Sequence, residues 1–130
     1  NKFFRTITKN KYQSSISVNI KGRDFIIENF YSGVARFKFN DLCDKYIGAE
    51  DYINIANDCI HIFIEDIPKF NNTNINQQLR FITLIDIFYE KKIRLTLSIE
   101  EDLGNLSSSD KHFEIFKRTV SRLSEMTKST

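Results

Sequence analysis

The first third of the chain alternates apolar and polar residues, which is the pattern of half-buried β-strands. The stretches SISVNI, RDFIIENF and VARFKF show it, and the turn-forming pairs Lys21-Gly22 and Ser32-Gly33 separate them. The opening FFRTITKN fits either a further strand or a loose end. Three short strands with tight connections predict an antiparallel meander over residues 1–39.

From residue 40 onward, helical patterns alternate with apolar runs. A short helix is predicted over DLCDKY with Asn40 as its N-cap, and a second helix from Ala49 to Asn57. The runs CIHIFIED and IRLTLSIE are interpreted as buried strands, and they flank a long helix, INQQLRFITLIDIFYEKK, capped by Thr73 or Asn74. A strand, a helix and a strand in this order predict a crossover with parallel strands.

These elements predict an α/β fold, with an antiparallel strand meander followed by a strand-helix-strand crossover and a C-terminal helix. We expect a single domain over residues 1–130, made of the meander (1–39), an α/β unit (40–101), a flexible loop (102–110) and the C-terminal helix (111–127). The long helix is apolar around most of its circumference, which predicts that it is covered on more than one side. We therefore expect a missing domain or a partner subunit to cover it.

Composition supports a globular protein and excludes few functions. Hydrophobic residues make up 41% and charged residues 28% of the 130 residues. The formal net charge of +2 is too small to argue for nucleic acid or an acidic membrane as a partner, and we do not expect nucleic-acid binding. No run approaches the about 18 apolar residues of a membrane span, and no charged-then-apolar leader opens the chain, so we expect a cytoplasmic protein. The chain begins at Asn1 and its only methionine is Met126, which predicts a fragment of a longer protein.

The usual signatures of catalysis and metal binding are missing from the sequence. Cys43 and Cys59 lack CxxC spacing and are predicted to be free thiols, and His61 and His112 lack metal-ligand spacing, so no metal site is predicted. The chain contains neither the phosphate-loop motif G-x-x-x-x-G-K-[ST] nor G-x-S-x-G. No catalytic residue is therefore predicted.

Two acids follow the apolar strand in IFIEDIP. Their place resembles that of the magnesium-binding carboxylate in P-loop ATPases, but Glu65 precedes Asp66 where the usual order puts Asp first. The competing interpretation is a strand that ends at the surface with solvated acids and a turn at Pro68.

Asp86 lies at the edge of the apolar surface of the long helix, and Glu90 follows one turn later. Two like charges at this spacing repel each other, so we expect a cation nearby. Arg94, Arg118 or Arg122 could supply it, which predicts a structural ion pair at Asp86.

The closing helix places Arg118 and Arg122 together on the side opposite its apolar face. One interpretation is a solvated face on which Glu114 and Glu125 offset the repulsion between the two arginines. The other is an anion site, because the forked donors of arginine suit phosphate.

Three segments together indicate a family. GVARFKFNDLCDKYIGAEDY, QQLRFITLIDIFYEKKIRL and FKRTVSRLSEM resemble the C-terminal half of the ZapE-like P-loop (AAA-like) ATPases, which include a bacterial cell-division ATPase and its mitochondrial relatives. The likeness extends from about Lys21 to Met126. It departs at Leu79, where the family often has the first of two arginines, so that Arg80 stands alone.

The resemblance implies that the full-length protein binds and hydrolyses ATP with magnesium. It also implies that the phosphate loop lies in a missing N-terminal ATPase core, so that the fragment binds no cofactor and is inert alone. Arg118, Arg122 and Arg80 become candidate nucleotide-sensing residues under this resemblance, because AAA-type ATPases often keep a phosphate-sensing arginine on a late helix.

Two alternatives remain open. The first is a non-catalytic protein–protein interaction module, in which Phe30, Tyr31 and the long helix serve a protein partner or self-association. The second is a nucleic-acid binder that uses the basic residues of the predicted meander, although acids interrupt them. These residues are Lys9, Lys11, Lys21, Arg23, Arg36 and Lys38.

Overall fold

The computed structural model describes residues 14–20, 23–44, 47–99 and 106–128, and its side chains from Tyr31 onward. The strands are β1 (Ser14–Ile20), β2 (Arg23–Tyr31), β3 (Val34–Lys38), β4 (His61–Ile67) and β5 (Arg94–Ile99). The helices are α1 (Phe39–Cys43), α2 (Ala49–Asn57), α3 (Ile75–Glu90) and α4 (Phe113–Met126). The opening FFRTITKN, the Lys21-Gly22 turn and residues 102–105 of the expected loop lie outside the described residues.

The five strands form one sheet in the order β1-β2-β3-β4-β5. The predicted fold class is wrong, because the centre of the fold is an all-parallel unit of β3, β4 and β5. β3 was expected to belong to a separate antiparallel meander. Instead it pairs in parallel with β4 along its whole length, from Val34 to Lys38, and the antiparallel β2 meets it at only two residue pairs. β1 in turn pairs antiparallel with β2.

The physical reason for this error lies in what alternation can reveal. A period of two identifies the face on which each side chain lies, but it carries no information about the direction of the neighbouring strand. Val34 and Ala35 lie on opposite faces of β3 and are both buried, as in strands that are covered on both sides. The strand-helix-strand crossover was predicted correctly, since β4 and β5 are parallel.

The turn between β2 and β3 lies at Ser32 and Gly33, as predicted. Both residues have positive φ angles, 48° and 90°, which two-residue hairpin turns often require. A Cβ atom on Gly33 would lie 3.2 Å from Cγ1 of Ile60, and the Gly33 carbonyl accepts a hydrogen bond from the Ile60 backbone N–H at 2.8 Å. Glycine therefore allows this turn to contact the start of β4 closely.

Most helix boundaries agree with the sequence pattern. α2 spans Ala49–Asn57 as predicted, and Asp51 accepts a hydrogen bond from the Gly48 N–H at 2.7 Å at its start. The exception is α1, which begins at Phe39, so that the predicted cap Asn40 lies inside the helix. Phe39 is buried, which explains why the chain turns there rather than continuing the strand.

All four helices cover one face of the parallel strands. Alternate strand residues point toward these helices, namely Ala35, Phe37, Ile62, Ile64 and Leu95. Four aromatic rings from different elements meet above them, with centroids 5.4–5.9 Å apart: Phe39, Phe70, Phe81 and Phe116. α3 is therefore covered on most of its apolar surface by α1, α2, α4 and the sheet, and Leu79 is its large apolar side chain that stays exposed.

The segment before α4 is held against the start of α3. The buried amide of Gln78 accepts a hydrogen bond from the Ser109 N–H at 3.1 Å and donates one to Ser108 Oγ at 2.7 Å. The carboxamide of Asn72 and the Asp110 residue exchange two further hydrogen bonds, at 3.0 and 2.9 Å. These contacts fix where α4 begins. None of the described helices has the length and apolar content that a bilayer crossing requires.

Candidate functional site

A seam of polar contacts joins α3 to α4. Gln78 contacts Ser109 just before α4, Asp86 contacts Arg122, and Tyr89 contacts Glu125. Because the partners follow the same order along both helices, the two helices run in the same direction. In this seam, Asp86 of α3 and Arg122 of α4 are charged and partly exposed to solvent.

Asp86 is the centre of this seam, since it contacts two arginines. The Arg122 guanidinium donates to Asp86 Oδ1, and Nη2 of Arg118 lies 3.8 Å from Asp86 Oδ2. The Arg122 side chain is 23% exposed and the Arg118 side chain is 59% exposed. Two cations thus share one carboxylate, so these three side chains together carry one surplus positive charge, and Arg118 is the more exposed of the two cations.

Arg122 has a second contact that Arg118 lacks among the described residues. Its guanidinium lies 4.8 Å from the centre of the Tyr89 ring, a cation–π arrangement. The Tyr89 hydroxyl donates to Glu125 Oε2 at 2.9 Å, and this hydrogen bond raises the pKa of Tyr89. Arg122 is therefore held on two sides, by a carboxylate and by an aromatic ring that is itself fixed to α4.

The acids that were expected to offset the two arginines contact other groups. Glu114 lies 3.4 Å from Nζ of Lys117, and Glu125 accepts the hydrogen bond from Tyr89. Arg94, the third candidate partner of Asp86, donates to the backbone carbonyl of Lys128 at 3.1 Å. Among the acids that the structure describes, Asp86 is thus the one that contacts both arginines.

A groove of about 530 Å³ borders the seam at the carboxyl ends of α3 and α4. Tyr89, Ile93, Glu125 and Met126 are among the residues that line it, together with both acidic and basic neighbours. Because its rim carries charges of both signs, the groove does not select a ligand charge.

Arg80 lies on a different side of α3, and the fold does not bring it to the other two arginines. Its Nη1 donates to the backbone carbonyl of Cys43 at 3.0 Å. The Tyr52 hydroxyl donates to the adjacent Leu42 carbonyl at 2.6 Å. We call Leu42, Cys43, Tyr52 and Arg80 the clasp, because they join α1, α2 and α3.

The Cys43 and Tyr52 side chains of the clasp are buried and uncharged, whereas Arg80 is partly exposed. Burial raises the pKa of the Cys43 thiol to about 12, and burial likewise raises the pKa of the Tyr52 phenol. Both groups therefore stay neutral at physiological pH. Sequence reasoning missed the clasp, although Tyr52 shares its buried helix face with Ile55 and Ala56, and a hydroxyl on such a face signals a hydrogen bond.

The acids of IFIEDIP do not form a metal site here. Glu65 makes an ion pair with Arg36 on the neighbouring strand β3, with a second contact of 3.3 Å, and Asp66 is exposed at a positive φ of 60°. Among the described residues, no group of three His, Cys, Asp or Glu side chains lies close enough to hold a metal ion. The Arg36 pairing also removes one cation from the basic set that suggested nucleic-acid binding. Of that set, Lys9, Lys11 and Lys21 lie outside the described residues.

Comparison with known proteins decides the family. The family model of the AFG1-like ATPases matches residues 1–130 of the chain, which is its full length. The chain belongs to the AFG1-like ATPase family. The resemblance inferred from the three sequence segments is thereby confirmed at the level of the family.

Curated relatives of this AFG1-like chain come from distant organisms. Lactation elevated protein 1 homolog B of Danio rerio is 28% identical over 141 aligned positions, which cover 84% of this chain and 28% of the relative. Cell division protein ZapE of Escherichia coli is 26% identical over 125 positions, covering 96% of this chain and 33% of the relative. An uncharacterized protein of Schizosaccharomyces pombe is 38% identical over 84 positions, covering 64% of this chain and 18% of the relative. No solved structure matches the chain.

The chain spans about a third or less of the length of these curated relatives. Many residues of the three resembling segments lie in the hydrophobic core, and the polar ones discussed above meet in two places in the fold. Leu42, Cys43, Tyr52 and Arg80 meet in the clasp. Asp86, Arg118 and Arg122 meet in the seam.

Proposed function

We propose that these 130 residues are the C-terminal region of a longer protein that binds and hydrolyses ATP. In this proposal the α3–α4 seam presents Arg118 to the phosphates of the nucleotide, and Arg122 holds α4 in the required position. The observation that carries the proposal is the surplus cation at Asp86 in a chain of an ATPase family. Membership of the family supports the reaction class, and the geometry of the seam supports the role of each arginine.

Arginine suits this role for a chemical reason. The transferred phosphoryl group carries negative charge on its oxygens in the transition state, and a positioned guanidinium stabilises that charge through paired N–H donors. Arg118 is mostly exposed and makes only a long contact with Asp86. Arg122 has less freedom, since Asp86 and Tyr89 hold it.

Arg80, the third candidate nucleotide-sensing residue, has an indirect part in the proposal. Its guanidinium is engaged by the Cys43 carbonyl, on a side of α3 away from the seam. We propose that Arg80 keeps α1 against α3 and so preserves the position of the seam, without contacting nucleotide.

The residues of this chain fit a phosphate oxyanion better than they fit the other parts of an ATPase site. The sequence contains no phosphate-loop motif. Glu65 is paired with Arg36, and Asp86 is paired with Arg122, so neither carboxylate fits a magnesium ligand. We therefore propose that the groups that hold magnesium and grip the phosphates lie outside these 130 residues, and that this chain alone does not hydrolyse ATP.

The test compares ATP turnover of the 130-residue chain with that of the longest natural protein that contains it. We expect no turnover by the chain and magnesium-dependent turnover by the longer protein. In the longer protein, Arg118→Ala should lower kcat by about 100-fold, which is typical for removal of a single transition-state donor. Arg122→Ala should lower it to a similar degree by freeing α4.

Lys117→Ala is the matched control, since it removes a neighbouring cation on the same helix that contacts Glu114 rather than Asp86. It should keep kcat within about twofold of the wild type. ATP turnover by the 130-residue chain, or unchanged turnover in both arginine variants, would contradict the proposal.

The alternative, a non-catalytic interaction module, is favoured by a different observation. Phe113 and Ile115 at the start of α4, and Leu79 on α3, are large apolar side chains that remain exposed. Light scattering over a range of concentrations tests this alternative. Self-association that Phe113→Ser and Ile115→Ser abolish would support it, whereas a monomer at every concentration would count against self-association.

A further inference from the structure

The unequal contacts of the two arginines define a further role for Asp86. Two cations approach this carboxylate, and one of them is held much more firmly than the other. Arg122 donates to it directly and also stacks on Tyr89. Arg118 lies 3.8 Å away and is 59% exposed. Any competing anion that reaches the seam would therefore attract Arg118 before Arg122.

We propose that Arg118 and Asp86 form an oxyanion site in which Asp86 is the counter-ion of Arg118 while no ligand is bound. A phosphate group then binds by replacing Asp86 as the partner of Arg118. In the resting chain, Asp86 occupies one side of the Arg118 guanidinium and keeps the side chain at the surface of the seam. When a phosphate group binds, Arg118 turns its forked donors to the ligand, and Asp86 keeps Arg122. Asp86 acts as a positioning residue, because it affects the ligand only through Arg118.

Charge supports this exchange. One carboxylate cannot neutralise two guanidinium groups, so Asp86, Arg118 and Arg122 together favour a second anion. Glu90 and Glu125, which both act on Tyr89 beside Arg122, offset part of this charge on the Arg122 side. The other acids close in sequence to the arginines contact different groups, since Glu114 contacts Lys117 and Glu125 accepts a hydrogen bond from Tyr89. Among the described acids, Asp86 is thus the one whose charge most directly opposes an anion at Arg118.

The identity of the ligand in this inference rests on the proposed function, in which the ligand is the phosphate chain of a nucleotide. Residues outside these 130 would hold that nucleotide. The chemistry of the site does not depend on that identity. Its test therefore uses the 130-residue chain by itself and inorganic pyrophosphate as the probe, so that its outcome is separate from that of the ATP turnover experiment.

The key variant is Asp86→Asn, which removes the negative charge and keeps a carbonyl oxygen that can accept the hydrogen bond from Arg122. Pyrophosphate binding is followed by ¹H–¹⁵N chemical-shift titration at low ionic strength. We expect Asp86→Asn to bind pyrophosphate about threefold more tightly than the wild type or better, because a like charge a few ångströms from the ligand is gone. The gain should shrink as salt is added.

Two further variants identify the arginine that meets the anion. Arg118→Ala should lose the binding, and Arg118→Lys should weaken it, because lysine keeps the charge but lacks the fork. Lys117→Ala should bind pyrophosphate almost as tightly as the wild type does, because it removes one nearby positive charge but leaves Arg118 and Asp86 in place. Tighter binding in Asp86→Asn that disappears when Arg118 is also replaced by alanine would show that the Asp86 charge acts through Arg118.

The spectra of each variant also report whether it is folded. If Asp86→Asn is unfolded at the titration temperature, Asp86→Ser provides a second neutral replacement, and the titration is done at a lower temperature. Equal pyrophosphate affinity in the wild type and in a folded neutral variant would overturn the proposal. Binding that survives in Arg118→Ala would overturn it as well.

Discussion

The clasp and the seam both involve α3 and both include an arginine, but they differ in burial and in what that arginine contacts. In the clasp, Tyr52 is fully buried and its hydroxyl donates to a backbone carbonyl, and the thiol of Cys43 stays protonated. In the seam, Asp86 and the two arginines are charged and partly exposed. The first arrangement suits a structural role, because its polar groups are already satisfied inside the protein. The second leaves Arg118 able to meet a ligand.

The comparison shows why resemblance alone could not assign roles. Arg80 and Arg118 were both candidates for nucleotide sensing as long as only the sequence was considered. The fold separates them, since Arg80 binds the Cys43 carbonyl while Arg118 lies at the surface beside Asp86. A residue shared with a family of enzymes can therefore serve packing as readily as chemistry.

Alkaline pH should produce the largest effect, and it acts on the buried thiols. The pKa of Cys43 and that of Cys59 are each raised to about 12 by burial, from an ordinary value of 9.0. Below pH 9 both folded and unfolded chains keep these protons. As pH rises from 9 toward 12, the unfolded chain releases them first, so the free energy of unfolding falls. The loss should reach about 2 kcal/mol per thiol near pH 10.5.

Urea unfolding at about pH 8 and about pH 10.5 measures this loss, and Cys43→Ala is the comparison. Between the two pH values, the free energy of unfolding of the variant should fall by about 2 kcal/mol less than that of the wild type, because the variant has one fewer buried thiol to ionise. The same loss in both proteins would show that Cys43 is not buried as described, and the clasp would have to be placed elsewhere.

Removing one hydroxyl from the clasp should have the next largest effect. Tyr52→Phe deletes the hydrogen bond to the Leu42 carbonyl and leaves that buried acceptor without its donor. We expect the free energy of unfolding to fall by about 1–2 kcal/mol. Urea unfolding measures it, and Tyr89→Phe, which deletes an exposed hydrogen bond to Glu125 instead of a buried one, is the matched tyrosine control. A change below about 0.5 kcal/mol in Tyr52→Phe would contradict a structural role for the clasp.

Truncating the seam arginines should have the smallest effects on stability, and the two should differ. Arg122→Ala removes an ion pair and a cation–π contact that are both partly exposed, so we expect a loss of about 1 kcal/mol. Arg118→Ala removes one long contact of a mostly exposed side chain, and its effect should stay within about 0.5 kcal/mol. Thermal unfolding of both variants checks the order. A larger loss in Arg118→Ala than in Arg122→Ala would reverse the division of roles.

Much of the local structure could be predicted from the sequence, because local patterns determine it. The spacing of apolar residues correctly predicted the helix Ala49–Asn57 and the crossover from β4 through α3 to β5. The direction of β3 could not be predicted, because it depends on pairing with β4, which lies more than 20 residues away in sequence. Long-range pairing of this kind leaves no trace in a period of two.

The candidate site was predictable only in part for a similar reason. The sequence indicated that Asp86 needs a cation, and three arginines were candidates. Which arginine meets it depends on the direction in which α4 packs on α3, and the contacts of Gln78 with Ser108 and Ser109 fix the start of that packing. Arg94 was excluded by tertiary structure alone, since it lies at the start of β5 and bonds to the Lys128 carbonyl.

Measuring both stability and anion binding in the same two variants tests the central claim most directly. Tyr52→Phe and Arg118→Ala are each examined by urea unfolding and by pyrophosphate titration of the 130-residue chain. The account predicts that Tyr52→Phe loses stability and still binds pyrophosphate, and that Arg118→Ala keeps its stability and loses the binding. If Arg118→Ala binds pyrophosphate as the wild type does, the seam is a structural contact like the clasp, and the assignment of an oxyanion site to it is wrong.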